Sequence, residues 1–405
     1  MGRFVIIVLD GFGIGAMDDV PQVRPADAGA NTCRSIFRTV PELYLPNLEK
    51  LGLMNAAGFE TERMKACPTA LYGKSLLTHF WADTFWGHQE IMGTKPVMPK
   101  GHTFRSVEPQ VRAALENAGY SVRPYPTENG NLLIVNEAVT VGDNIECDPL
   151  QAINVTSAID HIPFEEVVRI GHIVRNCCTT PRVIVFGGRG VGLSNLLNAV
   201  ETPNGLAGVD APKSGVYVRD YHCIHLGYGV DPSTQLPELL AEKGIPVTLI
   251  GKVADIVANP RGESCSIVDT PSVMAQTLKS VLTHPNGFVC TNVQETDLCG
   301  HRQDAKAYAE ILRQADAGLG PILEALAPGD RLVIMADHGN DPLIGHPHHT
   351  RERVPLLIAG GTVSGFLGQR STLSDVAATA AEYFGANRPQ NGTSFLALTG
   401  KGGGV

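Results

Sequence analysis

The richest group of side chains that could bind a metal lies in the segment ADHGNDPLIGHPHHTRE, residues 336–352. It follows the apolar run RLVIM directly and holds four of the chain's 13 histidines. Carboxylate oxygens and neutral imidazole nitrogens at the end of a strand suit zinc or manganese, and ligand type alone does not separate these two metals. The alternative interpretation is a solvated polar loop. The candidate ligands in this segment are Asp337, His338, Asp341, His346, His348 and His349.

A second pair of an acid and a histidine lies in TNVQETDLCGHRQD, after the apolar run GFVC. Asp297 precedes His301 by four residues, a spacing that can place both side chains on one face of a helix. Gly300 between them favours a loop instead. Such a pair alone is more typical of surface residues, so its assignment to a metal depends on the other clusters.

Two further features would complete a site for phosphoryl transfer. Asp10 ends the first apolar run of the chain and precedes a glycine-rich loop. In WADTFWGHQEIMG, Thr84 lies among Asp83, His88 and Glu90. A hydroxyl close to two cations can lose its proton and attack phosphorus, while the cations neutralise charge on the phosphoryl oxygens. Thr84 is therefore a candidate nucleophile, although a threonine without this context is far more often structural.

Several strands and helices must position these residues. The β-branched run Arg3–Leu9 is typical of a buried strand that opens onto a loop. Strands that alternate with helices predict a mostly parallel sheet, and therefore an α/β core with its ligands at the carboxyl ends of the strands. The other core elements expected are strands Pro246–Ile250, Phe288–Val293 and Arg331–Met335, and helices Pro237–Lys243, closed by Gly244, and Asp304–Leu326.

The middle of the chain has a different pattern, which predicts an inserted domain. A helix is expected near Pro109–Asn117, followed by a polar loop around Thr127–Asn131 and a run rich in glycine and asparagine from 187 to 215. The expected division is a metal-binding catalytic core of residues 1–100 and 222–405 and an α+β cap domain of residues 101–221.

Composition narrows the class of protein. With 405 residues, 43% apolar and 18% charged, the chain is long enough for two domains and is typical of a folded globular protein. A net charge of -9 provides no basic field for nucleic acid or an anionic membrane. The first ten residues lack the pattern of a secretory signal, and no apolar stretch reaches the roughly 18 residues of a membrane span, so a cytoplasmic protein is expected. Nine cysteines without CxxC spacing argue against a disulfide framework.

The motifs together resemble a known family. VLDGFGIGA, DTFWGHQEIMG, GKVADI, TNVQETDLCGHRQD, and ADHGNDP with HHTRE are similar to the successive signatures of phosphopentomutases, which belong to the alkaline phosphatase superfamily. The resemblance covers residues 1–100 and 222–395 in the same order and is much thinner in the middle. It implies an alkaline-phosphatase-like core and a metal-dependent phosphomutase that acts on a small phosphorylated sugar.

The resemblance also implies roles for individual residues. Thr84 would bridge two cations, most typically Mn²⁺ with Zn²⁺ as the alternative, and would carry a phosphoryl group that it passes to one hydroxyl of the sugar and recovers from another. One cation would be held by Asp297, His301 and His349, and the other by Asp10, Asp337 and His338.

The sequence departs from the family in places that concern the substrate. The family usually has serine or threonine at the position of Trp86 and tryptophan at that of Gln89. The spacing of Asp297 and His301 is one residue shorter than in phosphopentomutases and is similar to that of cofactor-independent phosphoglycerate mutases. The stretch FGGRGVGLSNLLNAVETPNG lacks the arginines that the family directs at the substrate phosphate, which leaves the substrate open. The remaining candidates for contacts to phosphate are Lys252, Arg189, Arg302 and Arg351.

Three other functions stay open as alternatives. Gly11, Gly13 and Ala16 satisfy the dinucleotide-binding pattern GxGxxA, but two prolines follow where a helix should begin. A phosphatase or phosphodiesterase would use the same metal ligands and release phosphate to water. A non-catalytic, metal-stabilised binding protein would also retain the ligands.

Overall fold

The strand Arg3–Leu9 lies at the centre of the larger sheet because its apolar run has no polar face. The computed structural model describes residues 2–147 and 149–400, and all seven residues of this strand are buried. It pairs in parallel with Gly287–Val293 on one side and with Arg331–Met335 on the other. Continuous apolar runs are typical of parallel strands whose two faces are both covered by helices.

Strands occur along the whole length of the described residues. In chain order they are β1 (Arg3–Leu9), β2 (Leu71–Ser75), β3 (Val122–Thr127), β4 (Gly130–Val135), β5 (Val139–Asp143), β6 (Ala152–Ala158), β7 (Arg182–Gly188), β8 (Val200–Glu201), β9 (Gly208–Val209), β10 (His222–Gly227), β11 (Val247–Ile250), β12 (Glu263–Cys265), β13 (Gly287–Val293), β14 (Arg331–Met335), β15 (Val354–Ala359) and β16 (Gly365–Arg370).

The helices follow the same order. They are α1 (Val20–Val23), α2 (Thr32–Thr39), α3 (Pro46–Lys50), α4 (Leu53–Ala57), α5 (Thr84–Ile91), α6 (Phe104–Asn117), α7 (Phe164–Asn176), α8 (Leu193–Asn198), α9 (Ala211–Ser214), α10 (Leu236–Glu242), α11 (Val253–Ile256), α12 (Thr270–Thr283), α13 (Glu295–His301), α14 (Ala305–Glu324) and α15 (Ser374–Tyr383). No helix among the described residues is long and apolar enough to cross a membrane.

The larger sheet has the order β12-β11-β13-β1-β14-β15-β2-β16. Its pairs are parallel except the two that β15 makes with β14 and β2, so the predicted mostly parallel α/β core is confirmed. Since β11, β13, β1 and β14 run in the same direction, the loops that follow them emerge at one edge of the sheet. This edge is where ligands bind in open α/β sheets.

The residues Val97–Val230 form a compact unit of their own, separate from the unit that contains the larger sheet. Its sheet has the order β10-β7-β6-β5-β4-β3 and mixes parallel with antiparallel pairs. The unit extends beyond the expected limits of 101 and 221, because β10 pairs with β7. The polar loop expected around Thr127–Asn131 is instead a tight hairpin between β3 and β4. The expected outer ends of the core, Met1 and 401–405, lie outside the described residues.

Candidate metal centre

The carboxyl edge of the larger sheet brings together acids and histidines from distant parts of the chain. Asp10 directly follows β1, and Asp337 and His338 follow β14. Asp297 and His301 lie on α13, which begins just after β13. The parallel strands thus bring residues that are hundreds of positions apart in sequence to the same edge of the sheet.

Two groups of ligand atoms meet at this edge. Asp10, Asp337 and His338 form one group and are fully buried, and their nearest ligand atoms lie within 4.8 Å of one another. Asp297, His338 and His349 form the second group by the same criterion. His338 is therefore common to both.

His301 lies beside the second group. Its Nε2 is 2.9 Å from His349 Nε2 and 3.3 Å from Asp297 Oδ2. His349 Nε2 is in turn 3.2 Å from Asp297 Oδ1. The three residues assigned to one cation by the family resemblance, Asp297, His301 and His349, thus converge with their ligand atoms facing one another.

The three imidazoles are oriented in the same way. In each ring Nδ1 lies at hydrogen-bonding distance from a backbone carbonyl, which directs the proton to Nδ1 and leaves Nε2 as an acceptor. Metal-binding histidines are typically held in this manner. The pairs are His338 with Gly339 at 3.0 Å, His301 with Pro347 at 2.7 Å and His349 with Ala82 at 3.0 Å.

The donor set fits a divalent cation. In this arrangement the lone pairs of His301 and His349 face each other at 2.9 Å, which is repulsive unless a proton or a cation lies between them. Asp337 Oδ2 is buried and makes no regular hydrogen bond among the described atoms, because His88 Nδ1, 3.3 Å away, bonds to the Thr84 carbonyl oxygen instead. A cation would remove the repulsion between the two imidazole lone pairs, and a cation would also give Asp337 Oδ2 a partner. Mixed oxygen and nitrogen ligands suit zinc or manganese.

The electrostatics of the buried carboxylates also fit a divalent cation. Burial, followed by the charge of Asp337, raises the pKa of Asp10 to about 7. Burial alone would raise the pKa of Asp337, but the neighbouring His338 and His88 hold it below its usual value. Burial likewise opposes ionisation of Asp297, and His349 and His301 lower its pKa despite that. Without a cation, the negative charges of Asp10 and Asp337 therefore repel each other.

Thr84 lies at the start of α5 and points into this group. Asp83 caps the helix by accepting a hydrogen bond from the Trp86 backbone N–H at 3.1 Å, which fixes the first turn. The Thr84 hydroxyl oxygen is 2.7 Å from His338 Nε2 and 3.3 Å from Asp10 Oδ1. The predicted nucleophile and the predicted ligands are thus within direct contact.

Lys252 completes the inner group of charges. Its Nζ is 3.1 Å from the Thr84 hydroxyl oxygen, 3.4 Å from Asp297 Oδ2 and 3.5 Å from Asp10 Oδ2. Burial opposes its charge, but the carboxylates, Asp10 first, raise the pKa of Lys252 above its usual value. Of the four residues expected to contact phosphate, Lys252 is the one that touches the candidate nucleophile.

The loop expected around Gly300 is wrong, because the segment Glu295–His301 is helical. Gly300 serves a different purpose there. A Cβ at this position would lie 2.3 Å from the side chain of Asn340. The glycine therefore lets α13 approach Asn340, whose Nδ2 donates to Asp297 Oδ1 at 2.8 Å.

Arg351 is occupied by other contacts. It is buried, and its guanidinium donates to the carboxylate of Asp19 and to the carbonyl oxygens of Leu77, His79 and Phe80. Few N–H groups are left for a phosphate. Arg351 instead secures the loop before α5.

The other two arginines differ from each other. Arg302 follows His301 on the surface, and its described side-chain hydrogen bond goes to Cys299 Sγ at 3.3 Å. Arg189 belongs to the unit Val97–Val230 and is neutralised by ion pairs with Asp160 at 3.0 Å and Asp220 at 2.6 Å. Its charge is already balanced by two carboxylates.

The rest of the segment 336–352 is not in either ligand group. Asp341 accepts hydrogen bonds from the backbone N–H groups of Asn31 and Leu343. His346 Nε2 lies 3.4 Å from Asp27 Oδ1. His348 is exposed.

Three buried polar residues behind the ligands have roles that the sequence does not predict. Asn340 holds Asp297, and Asn292 and His88 contact Asp10 and Asp337 respectively. For Asn292 a signal is present, since an amide at the end of the apolar strand GFVCTNV needs a polar partner when it is buried.

Comparison with known proteins gives consistent matches. The profile of the Metalloenzyme superfamily matches residues 2–388. A phosphopentomutase of Anaeromyxobacter sp. is 33% identical over 408 residues, 98% of each chain. A phosphopentomutase of Desulfitobacterium hafniense is 32% identical and covers 98% of this chain and 99% of its own. Among solved structures, a protein of Pyrococcus horikoshii aligns over 95% of this chain and 97% of its own with 18% identity and a TM-score of 0.44, a likeness too weak to bear on function.

Proposed function

Because the chain belongs to the phosphopentomutase family of the Metalloenzyme superfamily and is a metal-dependent phosphomutase, we propose that it relocates a phosphoryl group on a small phosphorylated sugar through a phosphothreonine at Thr84. The supporting observation is the position of the Thr84 hydroxyl oxygen, 2.7 Å from His338 Nε2 and 3.1 Å from Lys252 Nζ. A threonine buried between a metal-ligand cluster and a lysine has a suitable environment for a nucleophile.

The proposed metal ligands fall into two sets that share the space around Thr84. When bound, the divalent cations would neutralise charge on the phosphoryl oxygens and lower the pKa of the threonine hydroxyl. We expect manganese, with zinc as the alternative, because the donor atoms suit both. The sets are Asp297, His301 and His349 for one cation, and Asp10, Asp337 and His338 for the other.

The proposed reaction needs only two exchanges at phosphorus. In the first, a free hydroxyl of the sugar phosphate loses its proton as its oxygen bonds to phosphorus, the bond from phosphorus to Thr84 Oγ breaks, and Thr84 Oγ takes up a proton. In the second, the Thr84 hydroxyl loses that proton as Oγ bonds to the phosphorus at the other position of the bisphosphate, the bond from this phosphorus to the sugar oxygen breaks, and the sugar oxygen takes up the proton to become a free hydroxyl. The ammonium of Lys252 can pair with phosphoryl oxygens in both exchanges, since it already contacts the Thr84 hydroxyl oxygen.

The identity of the sugar is a separate matter. Ribose phosphates are the first candidates because the relatives are named phosphopentomutases. The paired state of Arg189 and the occupied guanidinium of Arg351 leave Lys252 and Arg302 as the proposed contacts to phosphate. A sugar monophosphate without further charged groups is compatible with this small set of cationic side chains.

A product screen tests the proposal. The manganese-loaded protein is incubated with phosphorylated sugars, including ribose 1-phosphate and ribose 5-phosphate, and isomerised sugar and free phosphate are measured separately. We expect isomerised product, and Thr84→Ala should abolish it while the metal content is retained. Phosphate release without isomerisation would favour a phosphatase, and full activity of Thr84→Ala would remove the phosphothreonine from the mechanism. The cytoplasmic location stays a prediction.

A further inference from the structure

His88 connects the nucleophile helix to a proposed metal ligand. It lies one turn after Thr84 on α5 and is fully buried. Its Nδ1 is 2.9 Å from the carbonyl oxygen of Thr84 and 3.3 Å from Asp337 Oδ2. One edge of the imidazole ring is thus directed at both the backbone of the nucleophile and the carboxylate of a ligand.

Asn292 connects the other ring nitrogen to the second carboxylate. This residue lies near the end of β13 and is fully buried. Its Nδ2 is 3.0 Å from His88 Nε2 and 3.1 Å from Asp10 Oδ2. The two hydrogens of the amide can therefore be given to His88 and Asp10, one to each.

The chemistry of the partners fixes the direction of these hydrogen bonds. The amide nitrogen of Asn292 faces Asp10 Oδ2, and a carboxylate that binds a cation is ionised and can only accept a hydrogen bond. The same nitrogen then donates to His88, which makes Nε2 the acceptor and places the ring proton on Nδ1. That proton is the one directed at the Thr84 carbonyl and Asp337, so the whole chain of contacts has a single consistent orientation.

Close packing makes this connection short. Gly87 precedes His88, and a Cβ at Gly87 would lie 2.7 Å from Asp337 Cβ and 2.8 Å from the Asp337 carbonyl oxygen. Helix α5 can therefore approach the end of β14 only because this residue has no side chain. The distance between the helix and the strand end is fixed by backbone contact, and the imidazole of His88 fills the remaining space.

We propose that His88 and Asn292 are positioning residues that hold Asp10 and Asp337 in register with the start of helix α5, so that the cation bound there faces the Thr84 hydroxyl. Neither residue touches the substrate in this role. The inference rests on the proposed two-metal site. Hydrogen-bond partners behind metal ligands typically account for about 10–100-fold in metal affinity or activity when they are removed.

The experiment is a titration of the metal-free protein with Mn²⁺ alone. His88→Leu and Asn292→Ala should each weaken one of the two Mn²⁺ binding steps by about 10–100-fold and leave the other unchanged, because both residues contact only the Asp10 and Asp337 side of the site. His88→Asn should recover part of the loss, since its amide can still donate from a position close to that of Nδ1. Asn292→Ala removes few atoms, so it can test the proposal by itself if His88→Leu does not fold.

Asn47→Ala is the matched control. The Asn47 amide donates to the Asp316 carbonyl at 2.7 Å in the same compact unit, away from the ligands. It should lower the melting temperature and leave both binding steps unchanged. The proposal is overturned if the His88 and Asn292 variants bind both ions like the wild type, or if both steps weaken equally. Failure of the proposed function itself would look different, because the wild type would then bind fewer than two ions or Thr84→Ala would retain turnover.

Discussion

The ammonium of Lys252 lies 3.1 Å from the hydroxyl oxygen of Thr84 and close to one carboxylate from each of the two proposed ligand sets. Its Nζ is also 3.4 Å from Asp297 and 3.5 Å from Asp10. In the metal-free chain the ammonium partly neutralises these carboxylates. In the proposed mechanism, cations bound to the carboxylates would leave the same ammonium available to a phosphoryl group on Thr84.

Lys252→Met should therefore reduce turnover more than it reduces metal binding. Loss of one charged donor to the reacting phosphoryl group is expected to lower kcat by about 10²–10³-fold. The measurements are kcat and metal content on the same preparations. Lys74→Met, on β2 of the same sheet, is the control and should leave kcat unchanged. An unchanged kcat in Lys252→Met would exclude the lysine from stabilising the transition state.

Removal of the metals should destabilise the protein. A ligand that binds the folded chain but not the unfolded chain stabilises the folded state. The gain is about 2.7 kcal/mol for each ion when its free concentration is one hundred times its dissociation constant. We expect the melting temperature to fall with a chelator and to recover with Mn²⁺. Asp337→Asn combined with His338→Ala should reduce both the bound metal and the recovery. In Asp341→Asn, whose carboxylate accepts backbone N–H groups instead, metal content should be unchanged.

The metal-free protein should become less stable as the pH rises from about 4 to about 7. The pKa of Asp10 is raised from 3.8 to about 7 in the folded chain, so within this window the folded state binds more protons than the unfolded state. Stability falls with pH wherever the folded state binds more protons. Urea unfolding in a chelator at several pH values measures the slope. The Asp10→Asn side chain cannot ionise, so the unfolding free energy of this variant should fall less steeply with pH than that of the wild type. Equal slopes in the variant and the wild type would contradict the raised pKa of Asp10.

Arg351 is expected to contribute to stability and not to phosphate binding. Arg351→Lys leaves buried carbonyl groups and the partly exposed Asp19 without several of their donors. A buried acceptor left without a hydrogen bond costs about 1–3 kcal/mol. Urea unfolding measures the loss. Arg189→Lys, at an exposed arginine, should change stability little. If Arg351→Lys were as stable as the wild type and had a raised KM, Arg351 would be a substrate contact after all.

The sequence predicts the sheet well because burial and direction leave strong local signals. Arg3–Leu9 and Arg331–Met335 have in the structure the bounds that the sequence predicts, since each is apolar after its first arginine and is followed within two residues by an acid. The contacts of Arg351 leave no such signal. An arginine that binds phosphate and one that binds backbone carbonyl groups 272 to 274 residues away look the same in sequence, and only the tertiary structure separates them.

Gly300 is the residue whose meaning changes most between sequence and structure. A glycine beside candidate ligands is typical of a loop, yet in this fold it lies in the last turn of α13 and makes room for Asn340. Helix propensity alone favours alanine over glycine by about 1 kcal/mol. Contact with Asn340, at 2.3 Å from the new Cβ, should outweigh that gain and displace the amide that holds Asp297.

Gly300→Ala should therefore lower stability and weaken Mn²⁺ binding, as measured by urea unfolding and metal titration. Gly320→Ala is the control for metal binding, since Gly320 is also helical and its new Cβ would lie 3.6 Å from the nearest atom outside its own helix, an ordinary contact. It should leave metal binding unchanged, and no gain of stability is expected because Pro321 follows and disfavours a Cβ on the helical residue before it. Unchanged stability and metal affinity in Gly300→Ala would mean that Asn340 can move aside and that Asp297 does not depend on it.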